Sequence, residues 1–277
     1  MRIRDALQQA RALGIARLDA QLILAALCEQ PRAWLLAHDD VELAASQLTQ
    51  LDEQLQRRAA GEPLAYVTGH AAFRGLVLQV SPAVLVPRPE TELLVEWALE
   101  VLPVGSSDEV IDLGTGSGAI ALALQRERPR ARITATDASA DALAVARTNA
   151  VRHAPTVAFA QGDWWAAVAG RRFALAVSNP PYIAGDDAHL AALRHEPRGA
   201  LTPEGDGLAA LRCIVDAAPP HLLPGAWLLL EHGHDQGETV RRLLSDRGFG
   251  ATRTRTDLAG LPRCSGGCWL GARPSAN

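Results

Sequence analysis

At Asn179, Pro180, Pro181 and Tyr182 an apolar run, Ala174 to Ser178, stops abruptly. Residues of these types in this order suit chemistry on a planar NH2 group. The lone pair of an amide or aryl amine nitrogen is delocalised, so it becomes nucleophilic only when two acceptors hold its two hydrogens in a fitting geometry. The Asn179 side-chain oxygen can be one acceptor and the Pro180 carbonyl the other. Prolines fix φ and remove N–H donors, so the turn offers oxygens to a ligand, and Tyr182 adds a flat face for stacking. The plain alternative is a stiff strand-to-loop turn without chemistry, since Asn-Pro often opens turns.

A second constellation lies upstream, in VIDLGTGSGAIALAL, where Asp112 and the glycines 114, 116 and 118 fall between a strand and a helix. Glycines permit a tight turn and close approach of a ligand to the backbone. A bare α/β turn uses them too. Asp137, ending the next strand about twenty residues on, is placed to bind ribose hydroxyls. Asp163 ends a third apolar run and is followed by Trp164 and Trp165. Its carboxylate can accept from an adenine amino group while an aromatic ring covers the purine; a surface acid beside a core tryptophan is the simpler reading. The G-x-G-x-G spacing departs from the dinucleotide fingerprint, and the Asp112 carboxylate would repel a diphosphate but not a sulfonium with an amino-acid tail. S-adenosyl-L-methionine is therefore the expected cofactor, with S-adenosyl-L-homocysteine as product. Its expected contacts are Asp112, Gly114, Thr115, Gly116, Ser117, Gly118, Asp137, Asp163, Trp164 and, at the methyl end, Asn179. Asn179, Pro180, Pro181 and Tyr182 form the expected catalytic corner. No strong general base is required, because a methylated nitrogen becomes acidic and can shed its proton to water.

These residues need a scaffold that brings several strand ends to one edge. Beyond Arg88, apolar runs of strand length (EVIDLG, RITATD, VAFAQGD, RFALAVSN, GAWLLLEHG) alternate with helical patterns. That alternation predicts a mostly parallel, doubly wound α/β sheet covered on both faces, which binds ligands at its carboxyl edge. Residues 1–62 instead carry leucines at helical spacing (Leu7, Leu13, Leu18, Leu22, Leu35, Leu43, Leu48, Leu51, Leu55), a small helical domain. The stripe serves internal packing or a docking face, and Asp39 or Asp40 could cap a following helix. Residues 63–87 read as a β-hairpin linker turning at Arg74 and Gly75, and residues 88–277 as the catalytic domain, with Pro89 near the start of its first helix. The last residues, GARPSAN, are expected to fray.

With 277 residues, 48% apolar content and a formal charge of -4, the chain can bury a large core and has no broad field for a polyanion. Nucleic acid is a disfavoured partner. No signal-peptide pattern opens the sequence and no stretch reaches membrane-spanning length, so a cytoplasmic protein without membrane contact is expected. The four cysteines read as reduced core residues and not as a disulfide framework: Cys28 and Cys213 sit in apolar helical patterns, and Cys264 and Cys268 lack the second Cys or His pair a zinc site needs. His232 and Asp235, in HGHDQ, are not expected to ligate a metal, so no metal is expected at all.

The chain resembles the release factor glutamine methyltransferases, the HemK or PrmC family. The resemblance runs through GEPLAYVTGHAAFRGL, VLVPRPETELLVEWAL, DLGTGSGAIALAL, ATDASADALAVARTNA, GDWW, SNPPYI, HEPRGAL and LLLEHGHDQ. PRPETE combined with NPPY is its most specific part. The resemblance implies a Rossmann-like class I methyltransferase fold. It also implies methylation of the glutamine amide nitrogen in the Gly-Gly-Gln motif of bacterial class I peptide chain release factors, by a protein expected to be a monomer. It further implies that Asn179 to Tyr182 grip that glutamine, that Trp164 contacts the adenine, and that the N-terminal domain helps hold the release factor. Ser117, where Thr is also usual, and the CSGGCW tail depart from the pattern. Arg88 and Glu90 could border the cofactor mouth or cap the next helix, and Glu196 to Arg198 could wall the glutamine pocket or form a surface ion pair. Two rivals remain: a nucleic-acid amino-methyltransferase, for which this corner would serve equally well, and a non-catalytic cofactor-binding module.

Overall fold

The computed structural model describes residues 1–271; the expectation of a frayed tail concerns residues outside that range for all but Gly271. The chain divides into two compact units between His70 and Ala71.

The first unit holds five helices: α1 (Ile3–Ala12), α2 (Arg17–Leu27), α3 (Arg32–Ala37), α4 (Ala45–Ala59) and α5 (Leu64–Thr68). Its core gathers Ile3, Ile23, Leu24, Leu35, Leu51 and Leu55, all but fully buried. Leu18 and Leu22 leave the leucine stripe: they lie one turn apart on α2 at 49% and 37% exposure. Neither Asp39 nor Asp40 caps α4, because the chain first runs extended to pair Glu42 with Arg2, and the Ala44 N–H donates to Gln47 Oε1 at 2.9 Å at the helix start. The expected boundary at residue 62 also shifts. Pro63 precedes α5, Val67 packs into the first core, and Gly69 at φ 77° ends the helix. The stretch assigned to a linker thus begins as part of the helical unit.

The hairpin is accordingly shorter: β1 (His70–Phe73) and β2 (Leu76–Gln79), joined by Arg74 at φ 44° and Gly75 at φ 71°. Two consecutive positive φ values match the right-handed twist of the flanking strands. Leu76 and Leu78 sink into the core of the second unit. There follow α6 (Thr91–Val101), β3 (Glu109–Leu113), α7 (Ala119–Glu127), β4 (Arg132–Asp137), α8 (Ala140–His153), β5 (Ala158–Gln161), β6 (Phe173–Ser178), α9 (Ala209–Ala217), β7 (Leu222–Glu231), α10 (Gly237–Asp246), β8 (Phe249–Thr256) and β9 (Pro262–Trp269). The sheet order is β5-β4-β3-β6-β7-β9-β8, with β3 to β7 parallel and β8 and β9 antiparallel. Strands β3, β4, β6 and β7 are buried over four consecutive residues each, as a sheet covered on both faces requires. The chain leaves β3 outward through β4 and β5, then returns to place β6 on the other side of β3. Ligands bind at such a switch, beyond the carboxyl ends of the strands.

All four cysteines are free thiols. Cys213 is exposed on α9, against the expectation of a core position, whereas Cys264 on β9 is buried opposite Glu231. No helix among the described residues is long and apolar enough to cross a membrane.

Candidate active site

The loop between β3 and α7 is built from three glycines at φ 71°, 55° and 85°, Gly114, Gly116 and Gly118, a backbone region that side chains rarely tolerate. Thr115 N–H donates to the Thr136 carbonyl at 2.8 Å, and Gly116 N–H to Asp137 Oδ2 at 2.9 Å, tying the loop to the end of β4. The second Asp137 oxygen accepts from the Ser139 N–H at 2.9 Å. Trp164, itself at φ 44°, lays its ring against Gly114, where an added Cβ would stand 3.1 Å from the indole. Backbone strain of this kind gathers where ligands are clamped.

Together these groups line a cavity of about 330 Å³. Of the expected cofactor contacts it contains Gly114, Thr115, Gly116, Ser117, Asp137, Asp163, Trp164 and Asn179, with Pro181 from the expected corner. Asp112 and Gly118 stand apart from it. Asp112 is fully buried beneath the loop, where Oδ2 accepts from the Thr115 hydroxyl at 2.6 Å and the Ala121 N–H at 3.2 Å. Burial pushes its pKa up to about 7, against the pull of those two donors. It supports the loop and does not face the ligand space, because the turn at Gly114 carries the chain over it. Gly118 precedes the first residue of α7. Trp165 is a core residue whose indole N–H donates to the Ile214 carbonyl at 2.9 Å.

Pro180 and Tyr182 open instead onto a second cavity, of about 320 Å³. Leu85, Arg88, Asn179 and Ala200 belong to both. Asn179 thus stands in the partition. Its Nδ2 donates to the Thr91 hydroxyl at 3.1 Å, which leaves Oδ1 without a protein donor among the described residues, and the Pro180 carbonyl is likewise unengaged. Two residues on, the Tyr182 carbonyl is occupied, accepting from Gln236 Nε2 at 3.0 Å. The Tyr182 hydroxyl donates to Glu231 Oε1 at 3.2 Å, and burial, followed by the nearby Glu231 charge, drives its pKa upward. The corner therefore presents two unoccupied oxygens beside an aromatic face, the arrangement that holds an NH2 group.

Both units have relatives. Residues 1–69 match the PrmC N-terminal domain and residues 90–209 the Methyltransferase small domain. The release factor glutamine methyltransferase of Bordetella pertussis is 49% identical over 257 residues, covering 92% of this chain and 95% of its own. The chain belongs to the release factor glutamine methyltransferase family. The family's protein from Coxiella burnetii is 46% identical over 248 residues, covering 89% and 90% of the two chains. Among solved structures, a methyltransferase from Pyrococcus furiosus shares the fold at a TM-score of 0.56 and 18% identity, over 83% of this chain and all (100%) of that one. The T. thermophilus 16S rRNA N2 G1207 methyltransferase, in complex with AdoMet and guanosine, shares it at a TM-score of 0.55 and 21% identity, over 72% of this chain and 49% of its own. The doubly wound α/β sheet read from the strand alternation stands, as does the Rossmann-like class I methyltransferase fold that the resemblance implies.

Around the Asn179–Tyr182 corner the structure adds residues the sequence reading passed over. Glu231, one place beyond Leu230, which pairs with Ser178, is an acid ending a buried strand at the level of Asn179. That is the same signal that drew attention to Asp112, Asp137 and Asp163. Burial raises its pKa to about 7, opposed by Thr91, Tyr182 and Arg263. Glu196 is buried, paired with Arg88 and accepting from the Val86 N–H at 3.2 Å, so it ties the segment before α6 to the loop after β6. Arg198 forms the surface ion pair, at 2.7 Å from Glu204. Arg88 borders the first cavity as expected, while Glu90 lines only the second. His232 is buried against the Ser265 hydroxyl at 2.7 Å, and burial lowers its pKa.

Proposed function

We propose that this chain methylates the side-chain amide nitrogen of the glutamine in the Gly-Gly-Gln motif of class I peptide chain release factors, using S-adenosyl-L-methionine in the cytoplasm. One observation carries the reading: Asn179 stands between two cavities with its Oδ1 and the Pro180 carbonyl both unengaged. The curated relatives bear the corresponding name at 46 to 49% identity. The first cavity fits the cofactor by its own features. A loop whose Gly114 would bring a Cβ to 3.1 Å from the indole, the indole slab itself and the Asp137 carboxylate make a nucleoside-sized slot of about 330 Å³.

When bound there, the cofactor supplies an electrophilic methyl group on a sulfonium sulfur. Gly114 to Ser117 and Asp137 would hold it, with Trp164 and Asp163 at the base. The second cavity takes the glutamine side chain. Asn179 Oδ1 and the Pro180 carbonyl accept the two amide hydrogens, turning the nitrogen lone pair toward the partition. Tyr182 stacks on the amide plane, and the prolines hold both oxygens at fixed spacing. The two exposed leucines of α2 support a role for the helical unit in holding the release factor.

Methyl transfer from labelled cofactor to a purified release factor, with ribosomal RNA and DNA as alternative acceptors, tests the proposal. Label should enter the release factor alone and disappear when its Gly-Gly-Gln glutamine is replaced. Asn179→Ala should slow transfer by about 100-fold or more while cofactor binding stays within about twofold, since loss of one such acceptor costs about 3 kcal/mol of transition-state stabilisation. Full activity in that variant, or label in nucleic acid, would contradict it.

A further inference from the structure

The HGHDQ segment, not expected to ligate a metal, ends in a residue that neither the cofactor slot nor the acceptor pair accounts for. Gln236 immediately precedes α10 and is half-buried. Its side-chain amide bridges two backbone groups: Oε1 accepts from the Gly233 N–H at 2.9 Å, and Nε2 donates to the Tyr182 carbonyl at 3.0 Å. A backbone N–H only donates and a carbonyl only accepts, so the gap calls for one acceptor and one donor on a single side chain. Glutamine has both, and an ionised glutamate of the same size has no donor. Gly207 comes against the same carbonyl from the loop before α9. A Cβ there would collide with the Tyr182 carbonyl oxygen and stand 3.0 Å from the Ala184 nitrogen, and φ is 75°. Only glycine meets both conditions without strain.

Tyr182 is thereby held at both ends. Its hydroxyl donates to Glu231 Oε1 at 3.2 Å and its carbonyl is tied to Gln236, while the residue packs against the core that contains Leu228 and Leu230 of β7. A tyrosine side chain turns about only two bonds, so pinning the main chain and the hydroxyl together fixes the plane of the ring. Either anchor alone leaves the ring free to pivot about it. We infer that Gln236, with Gly207 making room for the carbonyl, is a positioning residue: it ties down the main chain of Tyr182 and so sets the plane of the ring against which the substrate amide stacks. Gln236 and Gly207 line neither cavity, so both act through Tyr182. The inference rests on the function proposed above, in which Tyr182 is that stacking face.

The positioning can be read without turnover. The chain has two tyrosines, Tyr66 and Tyr182, so protein labelled with 13C-tyrosine gives two sets of carbonyl and ring signals, which Tyr66→Phe assigns. In Gln236→Glu, where a carboxylate meets the carbonyl, and in Gln236→Met, which keeps the length without the donor, the Tyr182 carbonyl and ring signals should both shift. In turnover each variant should lower kcat about tenfold or more, the loss expected for one hydrogen bond removed or opposed, with the cofactor Kd within about twofold. Gly207→Ala should act in the same direction. A double-mutant cycle with Tyr182→Ala, its residual transfer followed with labelled cofactor, separates positioning from general support of the fold. Once the ring is gone, Gln236→Met should lower kcat by less than about twofold further, whereas a merely structural role would leave the two losses multiplying. A Tyr182 ring signal that stays in place in both Gln236 variants, kcat within about twofold of wild type in both, or multiplying losses in the double variant would overturn the inference. A wild type whose Tyr182 signals respond to Gln236→Met in this way but which methylates no release factor would overturn the proposed function and leave the positioning role standing.

Discussion

Gly114 is the residue on which the cofactor slot turns. At φ 71°, with the Trp164 ring 3.1 Å from where a Cβ would stand, it would give a side chain both backbone strain and a tight contact. Gly114→Ala should cost about 1–2 kcal/mol in backbone strain alone and displace the indole, weakening cofactor binding by about tenfold or more in a fluorescence titration. Two buried carboxyls shape the response to pH. Asp112 and Glu231 are both pushed up to about 7, chiefly by burial, whereas an unfolded carboxyl titrates near 4. Between those values the folded chain holds the extra protons. The stability these groups contribute is therefore complete below about pH 4 and lost as pH rises through 7. Relative to the wild type, Glu231→Gln should gain on the order of 3 kcal/mol between pH 4 and pH 8, read from urea unfolding at each pH. An unchanged difference would mean that Glu231 titrates normally.

At the scale of elements, α8 holds the hairpin to the catalytic unit through two side chains, His153, whose Nε2 lies 2.8 Å from the Val77 carbonyl, and Asn149. Asn149 accepts from the Gln79 N–H at 2.7 Å and donates to the carbonyls of Gln79 and Ser117, each at 2.9 Å. Asn149→Ala would leave three backbone groups unpaired, two on Gln79 and the buried carbonyl of Ser117. It should destabilise the protein by about 2–4 kcal/mol in chemical denaturation, and loosen the cofactor loop through Ser117. The parallel strands were legible in the sequence as short, mostly apolar segments between helical patterns; of the three acids Asp137 ends β4, whereas Asp112 falls one place before the end of β3 and Asp163 two places beyond the end of β5. Which of them faces a ligand was not legible: Asp112 and Asp137 look alike in sequence, and only the turn at Gly114 buries one and exposes the other. Asn149 and Glu231 escaped notice for a related reason. A lone polar residue on a helix or strand shows its partners only when distant backbone comes to it. The antiparallel strands β8 and β9 gave a weak pattern, with arginines and threonines alternating at a half-exposed edge and glycines in β9 where Leu229 and Phe249 press close. Helix α5 was hidden by the glycines and prolines around it, which read as linker.

For the molecule as a whole, the helical unit and the catalytic unit should contribute separable parts of substrate recognition. Leu18 and Leu22 are large, apolar and exposed side by side on α2. Leu18→Glu combined with Leu22→Glu should raise the KM for an intact release factor by about 30-fold or more while leaving transfer to a short Gly-Gly-Gln peptide unchanged, since burying two such leucines is worth about 2–3 kcal/mol. Equal effects on both substrates would place the defect elsewhere. The catalytic unit is itself divided into two rooms by one wall, made of Leu85, Arg88, Asn179 and Ala200. Any movement of that wall when one room fills is a change of shape in the other. Thermodynamic reciprocity then forces the two affinities to shift by one common factor, so a calorimetric titration of methyl donor with and without a bound glutamine peptide, and the converse, must close as a cycle.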